Sequence, residues 1–144
     1  MNSGKILLVE DSDDDAVLLY RAFKKKNMLN EIVRAKDGIE ALELVFGTEE
    51  KPPLMPCLIL LDLKLPKMDG LEVLQALRAN KLTQGLPIII LTTSVEQQDI
   101  VKGYNLGCNS YIRKPVEFDK FLESVGQLGL YWMMLNEGNP NYTG

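Results

Sequence analysis

The thirteen residues Leu58-Ile59-Leu60-Leu61-Asp62-Leu63-Lys64-Leu65-Pro66-Lys67-Met68-Asp69-Gly70 constrain the fold more than any other stretch of the chain. Four consecutive aliphatic residues run directly into an aspartate, and turn-forming residues follow at once. A short apolar run without polar alternation is the pattern of a strand covered on both faces. Such strands belong to parallel sheets with helices on each side, and open sheets of this kind place their chemistry at the carboxyl ends of the strands. Asp62 is therefore the first candidate for a reacting group.

The remaining chain repeats the theme. Lys5 to Val9 reads as a strand ending in Glu10-Asp11, and Ser12 with Asp15 forms a capping pattern that opens a helix. Val17, Leu18, Tyr20, Arg21 and Phe23 are expected to continue it with an apolar face. Glu31 to Ala35 is a second strand, and Asp37 opens a second helix that Gly47 ends. Residues 48–56 form a loop with three prolines, longer than most such connections. The third strand is placed at Cys57 to Leu61, and Asp69 with Glu72 caps the third helix. Pro87 to Leu91 is the fourth strand; Ser94 with Gln97 starts a fourth helix running to about Asn105. Ser110 to Arg113 is the fifth strand. Phe118, Phe121, Leu122, Val125, Leu128, Trp132 and Leu135 form one apolar stripe on an extended last helix. Five strands alternating with five helices predict a single α/β domain with a parallel sheet, over residues 1–130. Residues 131–144 are expected to be a C-terminal extension and polar tail.

Composition excludes several functions. With 144 residues, 25% charged and a net charge of −4, the chain has an ordinary globular balance and no basic run for nucleic acid. No apolar run reaches the roughly 20 residues of a membrane span, and the N-terminus lacks a signal-peptide pattern, so a cytoplasmic location is expected. Cys57 and Cys108 are too few and too far apart for a zinc site and are expected to be buried free thiols. There is no histidine. The chain cannot carry a phosphohistidine, a Ser-His-Asp triad or an imidazole-bound metal, so any metal is held by oxygen atoms, as Mg²⁺ prefers.

Parallel topology then brings distant residues together. Glu10-Asp11, Asp62, Thr92 and Lys114 each follow the last apolar residue of strands one, three, four and five, and all those ends share one edge. Three crowded carboxylates need a cation between them; one Mg²⁺ and Lys114 would cancel their charge. A carboxylate can act as a covalent nucleophile toward phosphorus. Phosphoryl transfer requires mostly positioning and charge neutralisation, which a metal, a lysine and the Thr92 hydroxyl supply.

The ordered set Leu7-Leu8-Val9-Glu10-Asp11, Leu60-Leu61-Asp62 through Pro66-x-Met68-Asp69-Gly70, Leu91-Thr92-Thr93-Ser94 and Tyr111-Ile112-x-Lys114-Pro115 resembles the receiver domain of two-component response regulators. The resemblance spans residues 4 to about 130. It implies a flavodoxin-like (βα)5 three-layer sandwich with strand order 2-1-3-4-5. It also implies Mg²⁺-dependent transfer of a phosphoryl group from a sensor histidine kinase to Asp62, in a signalling protein that is not an enzyme. Metal ligands would be Glu10, Asp11, Asp62 and the backbone carbonyl of Lys64. Thr92 and Lys114 would contact the phosphoryl group, Thr92 and Tyr111 would form the switch, and Lys64, Thr93 and Ser94 would tune the rate. Glu10 stands where many receivers have aspartate, and Thr93 where many have alanine.

The long loop 48–56, the Leu-Thr-Thr-Ser run and the end Leu130-Tyr131-Trp132 further resemble small regulators that partner phytochrome-type sensor kinases. That likeness implies a homodimer through the fourth helix, fifth strand and fifth helix, with Tyr131 and Trp132 contributing. Other readings are an Asp-based phosphatase, a flavin- or dinucleotide-binding module and a pseudo-receiver that signals without phosphate. The phosphatase would want an acid where Lys64 stands. The nucleotide module would want a glycine-rich first loop, not Glu10-Asp11-Ser12-Asp13-Asp14-Asp15. A pseudo-receiver usually lacks a key residue, and all are present here.

Overall fold

A computed structural model describes residues 4–25, 28, 30–93, 97–114 and 116–127. Five strands and five helices alternate: β1 (Lys5–Val9), α1 (Asp13–Lys25), β2 (Glu31–Ala35), α2 (Gly38–Phe46), β3 (Leu58–Leu61), α3 (Gly70–Ala79), β4 (Ile88–Thr92), α4 (Gln97–Asn105), β5 (Ser110–Arg113) and α5 (Phe118–Gln127). The strands form one sheet in the order β2-β1-β3-β4-β5, and every pairing is parallel.

The continuous apolar strands are explained by two cores, one on each side of the sheet. Ile6, Leu8, Leu58, Leu60, Ile89, Leu91 and Ile112 face Ala16, Leu19 and Phe23 of α1 and Phe121 of α5. Leu7, Val9, Ile59, Leu61, Ile88 and Ile90 face Ala41 and Val45 of α2 and Val73, Leu74 and Leu77 of α3. Successive strand side chains point to opposite faces, so a strand covered on both sides has no position for a polar residue. Each fully buried aliphatic side chain contributes about 1.5–3 kcal/mol. Phe23 and Phe121, with ring centroids 5.4 Å apart, join α1 to α5.

Local signals position the helices. Asp37 accepts from the Glu40 backbone N–H at 2.8 Å, and Asp69 from that of Glu72 at 3.1 Å, the N-cap geometry that satisfies orphan helix donors. Gly47 closes α2 with φ 81°, its N–H donating to Glu43.

Three expectations need correction. The buried face of α1 is Ala16, Leu19 and Phe23, whereas Val17, Leu18 and Tyr20 are exposed. The spacing i, i+3, i+7 defines the stripe that meets the sheet, and the apolar residues between its members turn outward. Strand bounds also shift slightly. Cys57 precedes β3, and β4 runs one residue further, to take in Thr92. Cys108 is buried, while Cys57 is only half-buried at the sheet edge. The expected stripe beyond residue 127 and the extension 131–144 lie outside the described residues.

Candidate functional site

The carboxyl ends of β1, β3, β4 and β5 build the site. Backbone pairing continues past the strands: Glu10 N–H donates to Ala35 O at 2.9 Å, Asp62 N–H to Val9 O at 3.0 Å, and Lys114 N–H to Thr92 O at 2.9 Å. Each functional side chain therefore starts from backbone fixed by the sheet, which is why residues more than fifty positions apart can meet with hydrogen-bond accuracy.

Lys114 is the centre of the arrangement. Its Nζ donates to Asp62 Oδ2 at 2.8 Å, to Asp15 Oδ2 at 2.9 Å and to Glu10 Oε1. Its side chain is 10% exposed, that of Asp62 9% and that of Glu10 3%. Burying charges costs several kcal/mol per ion unless they are paired and hydrogen-bonded; all three ammonium donors are used here, in charge-assisted bonds. Burial alone would lower the Lys114 pKa, but the bonds to Asp62, Glu10 and Asp15 outweigh it and hold the amine well above the usual lysine range. The lysine is charged at any physiological pH.

Glu10 behaves oppositely. Burial pushes its carboxyl up to about 7; the Lys114 hydrogen bond pulls it back, and the negative charge of Asp62 pushes further upward. Lys114 is shared among three acids and does not neutralise the cluster.

Carboxylate oxygens of Glu10, Asp11 and Asp62 lie within 4.8 Å of one another. Asp11 is exposed at the mouth, while Glu10 and Asp62 are buried beneath it. An all-oxygen, anionic donor set open on one side fits a hard divalent cation, and a carboxyl destabilised by burial and a like charge is what a cation would relieve.

The β3–α3 turn completes the floor. Asp62 Oδ1 accepts from the Lys64 N–H at 3.2 Å, and the Lys64 side chain is exposed. Gly70 N–H donates to Leu63 O at 2.9 Å. Gly38 and Gly70 are required by close approach: a Cβ on Gly38 would lie 2.3 Å from Met68 O, and one on Gly70 2.2 Å from Asp62 O. Lys67, at φ 68°, holds the left-handed position in this turn, and its Nζ pairs with Asp37 Oδ2 at 3.5 Å.

Thr92 is fully buried at the end of β4, and Thr93 beside it is exposed. Tyr111 is half-buried on β5 opposite Ile90 and packs against the α2–α3 side core. Ser94, Tyr131 and Trp132 lie outside the described residues.

Two participants were not identified from sequence. Asp15 is more than the capping residue its sequence pattern suggests: its backbone N–H does donate to Ser12 Oγ at 3.2 Å, but its carboxylate pairs with Lys114. Arg34 donates Nε to Glu10 O at 2.9 Å and Nη1 to Asp13 Oδ1 at 2.8 Å, tying the acidic loop to β2. The run of acids in residues 10–15 was the available signal for both.

Comparison with known proteins agrees with this geometry. The family pattern of the response regulator receiver domain matches residues 6–126. The solved structure of the bacteriophytochrome response regulator AtBRR is 44% identical, with a TM-score of 0.81 over 92% of this chain and 97% of that one. Response regulator Rcp1 of Synechocystis sp. is 35% identical over 130 residues, covering 89% of this chain and 88% of its own length. The Mn²⁺-bound structure of Rcp1 has a TM-score of 0.74 at 32% identity, covering 97% of each chain. The probable methanogenesis regulatory protein FilR2 of Methanothrix harundinacea is 36% identical over 131 residues, covering 91% of this chain and 84% of its own length. A match across most of the chain, with the same fold and a converged acidic site, makes this protein a member of the response regulator receiver family.

Proposed function

We propose that Asp62 is the phosphoacceptor of this receiver domain, charged by a sensor histidine kinase with Mg²⁺ at the acidic pocket. The observation that carries this reading is the convergence on Asp62 of a buried lysine at 2.8 Å and two further carboxylates within 4.8 Å. An Asp62 oxygen attacks phosphorus as the P–N bond of a protonated phosphohistidine breaks, and the ring leaves as neutral imidazole with the electron pair. These 144 residues hold no histidine, so the phosphohistidine lies outside them. Lys114 faces the oxygens that gain negative charge during transfer. When bound, a divalent cation would neutralise further charge; Glu10, Asp11, Asp62 and the Lys64 carbonyl would hold it. The Mn²⁺-bound form of the relative Rcp1 supports a divalent cation in this pocket.

Thr92, at the end of β4, and Tyr111, on the neighbouring strand β5, are assigned as the switch, with Lys64, Thr93 and Ser94 tuning the rate. The likeness to a bacteriophytochrome response regulator supports a phytochrome-type kinase as the donor. Dimerisation is assigned to the open β5 edge, where α4, β5 and α5 lie side by side in sequence, with Tyr131 and Trp132 adding to the interface.

Incubation with acetyl phosphate and Mg²⁺, wild type beside Asp62→Asn, tests the reading. An acid-stable, alkali-labile label on wild type alone supports it. Equal labelling of both, or none in either with several donors, overturns it. An Asp-based phosphatase is disfavoured by the exposed Lys64, which stands where that chemistry needs an acid.

A further inference from the structure

Of the three carboxylates bonded to Lys114, Glu10 and Asp62 also belong to the group able to share a cation; Asp15 does not. A divalent cation drawn to Glu10 and Asp62 competes with the ammonium for the same oxygens. Asp15 is then the partner left to Lys114 alone. It is well placed for that work. Its backbone is fixed in the first turn of α1, where Asp15 N–H donates to Ser12 Oγ and Ala16 N–H to Ser12 O at 3.1 Å. Its carboxylate reaches Lys114 from α1, at 2.9 Å.

We propose that Asp15 is a positioning residue for phosphoryl transfer, its carboxylate holding the Lys114 ammonium beside Asp62 while the cation occupies the other carboxylates. This rests on Asp62 being the phosphoacceptor. A lysine is a point charge on a flexible four-carbon stem; an ammonium tethered from one side keeps its alignment when its other partners are engaged elsewhere. Phosphoryl transfer depends on such alignment, and small misplacements of a catalytic group slow it many-fold. A purely structural role is the alternative, since any acid in the first turn of a helix favours the helix dipole. That role would be indifferent to Lys114.

The full chain is tested as Asp15→Ala, Lys114→Gln and the double variant, with Asp15→Glu as the conservative control. With Mg²⁺ removed by EDTA, urea unfolding should show Asp15→Ala lowering the folding constant on the order of ten-fold, about 1.4 kcal/mol, when Lys114 is present. In the Lys114→Gln background the same change should be neutral or stabilising, because it removes an uncompensated acid. With saturating Mg²⁺ and acetyl phosphate, Asp15→Ala should label on the order of ten-fold more slowly than wild type. The Mg²⁺ concentration for half-maximal rate should change less than about two-fold, and Asp15→Glu should recover most of the rate. Labelling of Asp15→Ala at the wild-type rate, or an equal stability loss in both backgrounds, would overturn the proposal. If wild type itself takes no label, the Asp62 reading fails, and with it the role of Asp15 in transfer; the stability cycle still decides the Asp15–Lys114 link.

Discussion

Gly70 and Asp62 meet backbone to backbone: a Cβ on Gly70 would sit 2.2 Å from the Asp62 carbonyl oxygen and 2.7 Å from Leu63 Cα. The start of α3 is thereby pressed against the turn that carries the Asp62 carboxylate, so the position of one fixes the other.

Gly70→Ala therefore forces the turn apart. Overpacking against backbone costs about 1–3 kcal/mol, and the displaced Asp62 should also lose its alignment with Lys114. Urea unfolding should show the stability loss, and acetyl phosphate labelling should slow beyond what the unfolded fraction explains. Wild-type labelling at reduced stability would show that the contact serves the fold alone.

Arg78 is a structural hub at the opposite edge of the sheet. It donates to Gly107 O at 2.8 Å, Leu86 O at 2.7 Å, Gln84 O at 3.0 Å and Asn109 Oδ1 at 3.1 Å, closing the α3–β4 and α4–β5 loops together. Arg78→Ala leaves several carbonyls without their charged donor and should cost about 2–4 kcal/mol. Arg78→Lys should recover little, because a point charge cannot replace the planar fork. Labelling of the folded fraction should stay normal, since the site is at the other end of the strands.

Much of this was legible in the sequence, for definable reasons. The runs Leu58–Leu61 and Ile88–Leu91 announce strands covered on both faces, and Asp37 and Asp69 announce helix starts through contacts only three residues long. The site residues were legible because parallel strands place all their carboxyl ends on one edge. The inward face of α1 was not, because Val17 and Leu18 are as apolar as Leu19 and only packing against the sheet separates them. Asp15 and Arg34 were missed for a related cause. Their partners, Lys114 and the Glu10 carbonyl, lie 99 and 24 residues away, and no local pattern encodes those distances.

Glu10 sets a pH dependence. A carboxyl raised to about 7 by burial binds a proton more tightly in the folded chain than in the unfolded one. Its contribution to stability is full below the unfolded value near 4.5 and is lost as pH rises through about 7. In EDTA, the thermal midpoint should therefore decline over that window, and Glu10→Gln should flatten the decline. With Glu10 among the proposed ligands, Mg²⁺ would have to displace the same proton, so its stabilising effect should grow with pH across the window. A Mg²⁺ effect that is constant with pH would remove Glu10 from the cation's ligands.

Locating the phosphoryl group itself tests the central assignment most directly. Wild-type protein treated with acetyl phosphate and Mg²⁺ is reduced with borohydride, which converts an aspartyl phosphate to a homoserine residue, and the peptides are read by mass spectrometry. With Asp62 as the acceptor, homoserine appears at position 62 and nowhere else, and is absent without Mg²⁺. Homoserine at Asp11 or Asp15 instead, 2-amino-5-hydroxyvaleric acid at Glu10, or a labelled protein with no homoserine at position 62, would contradict it.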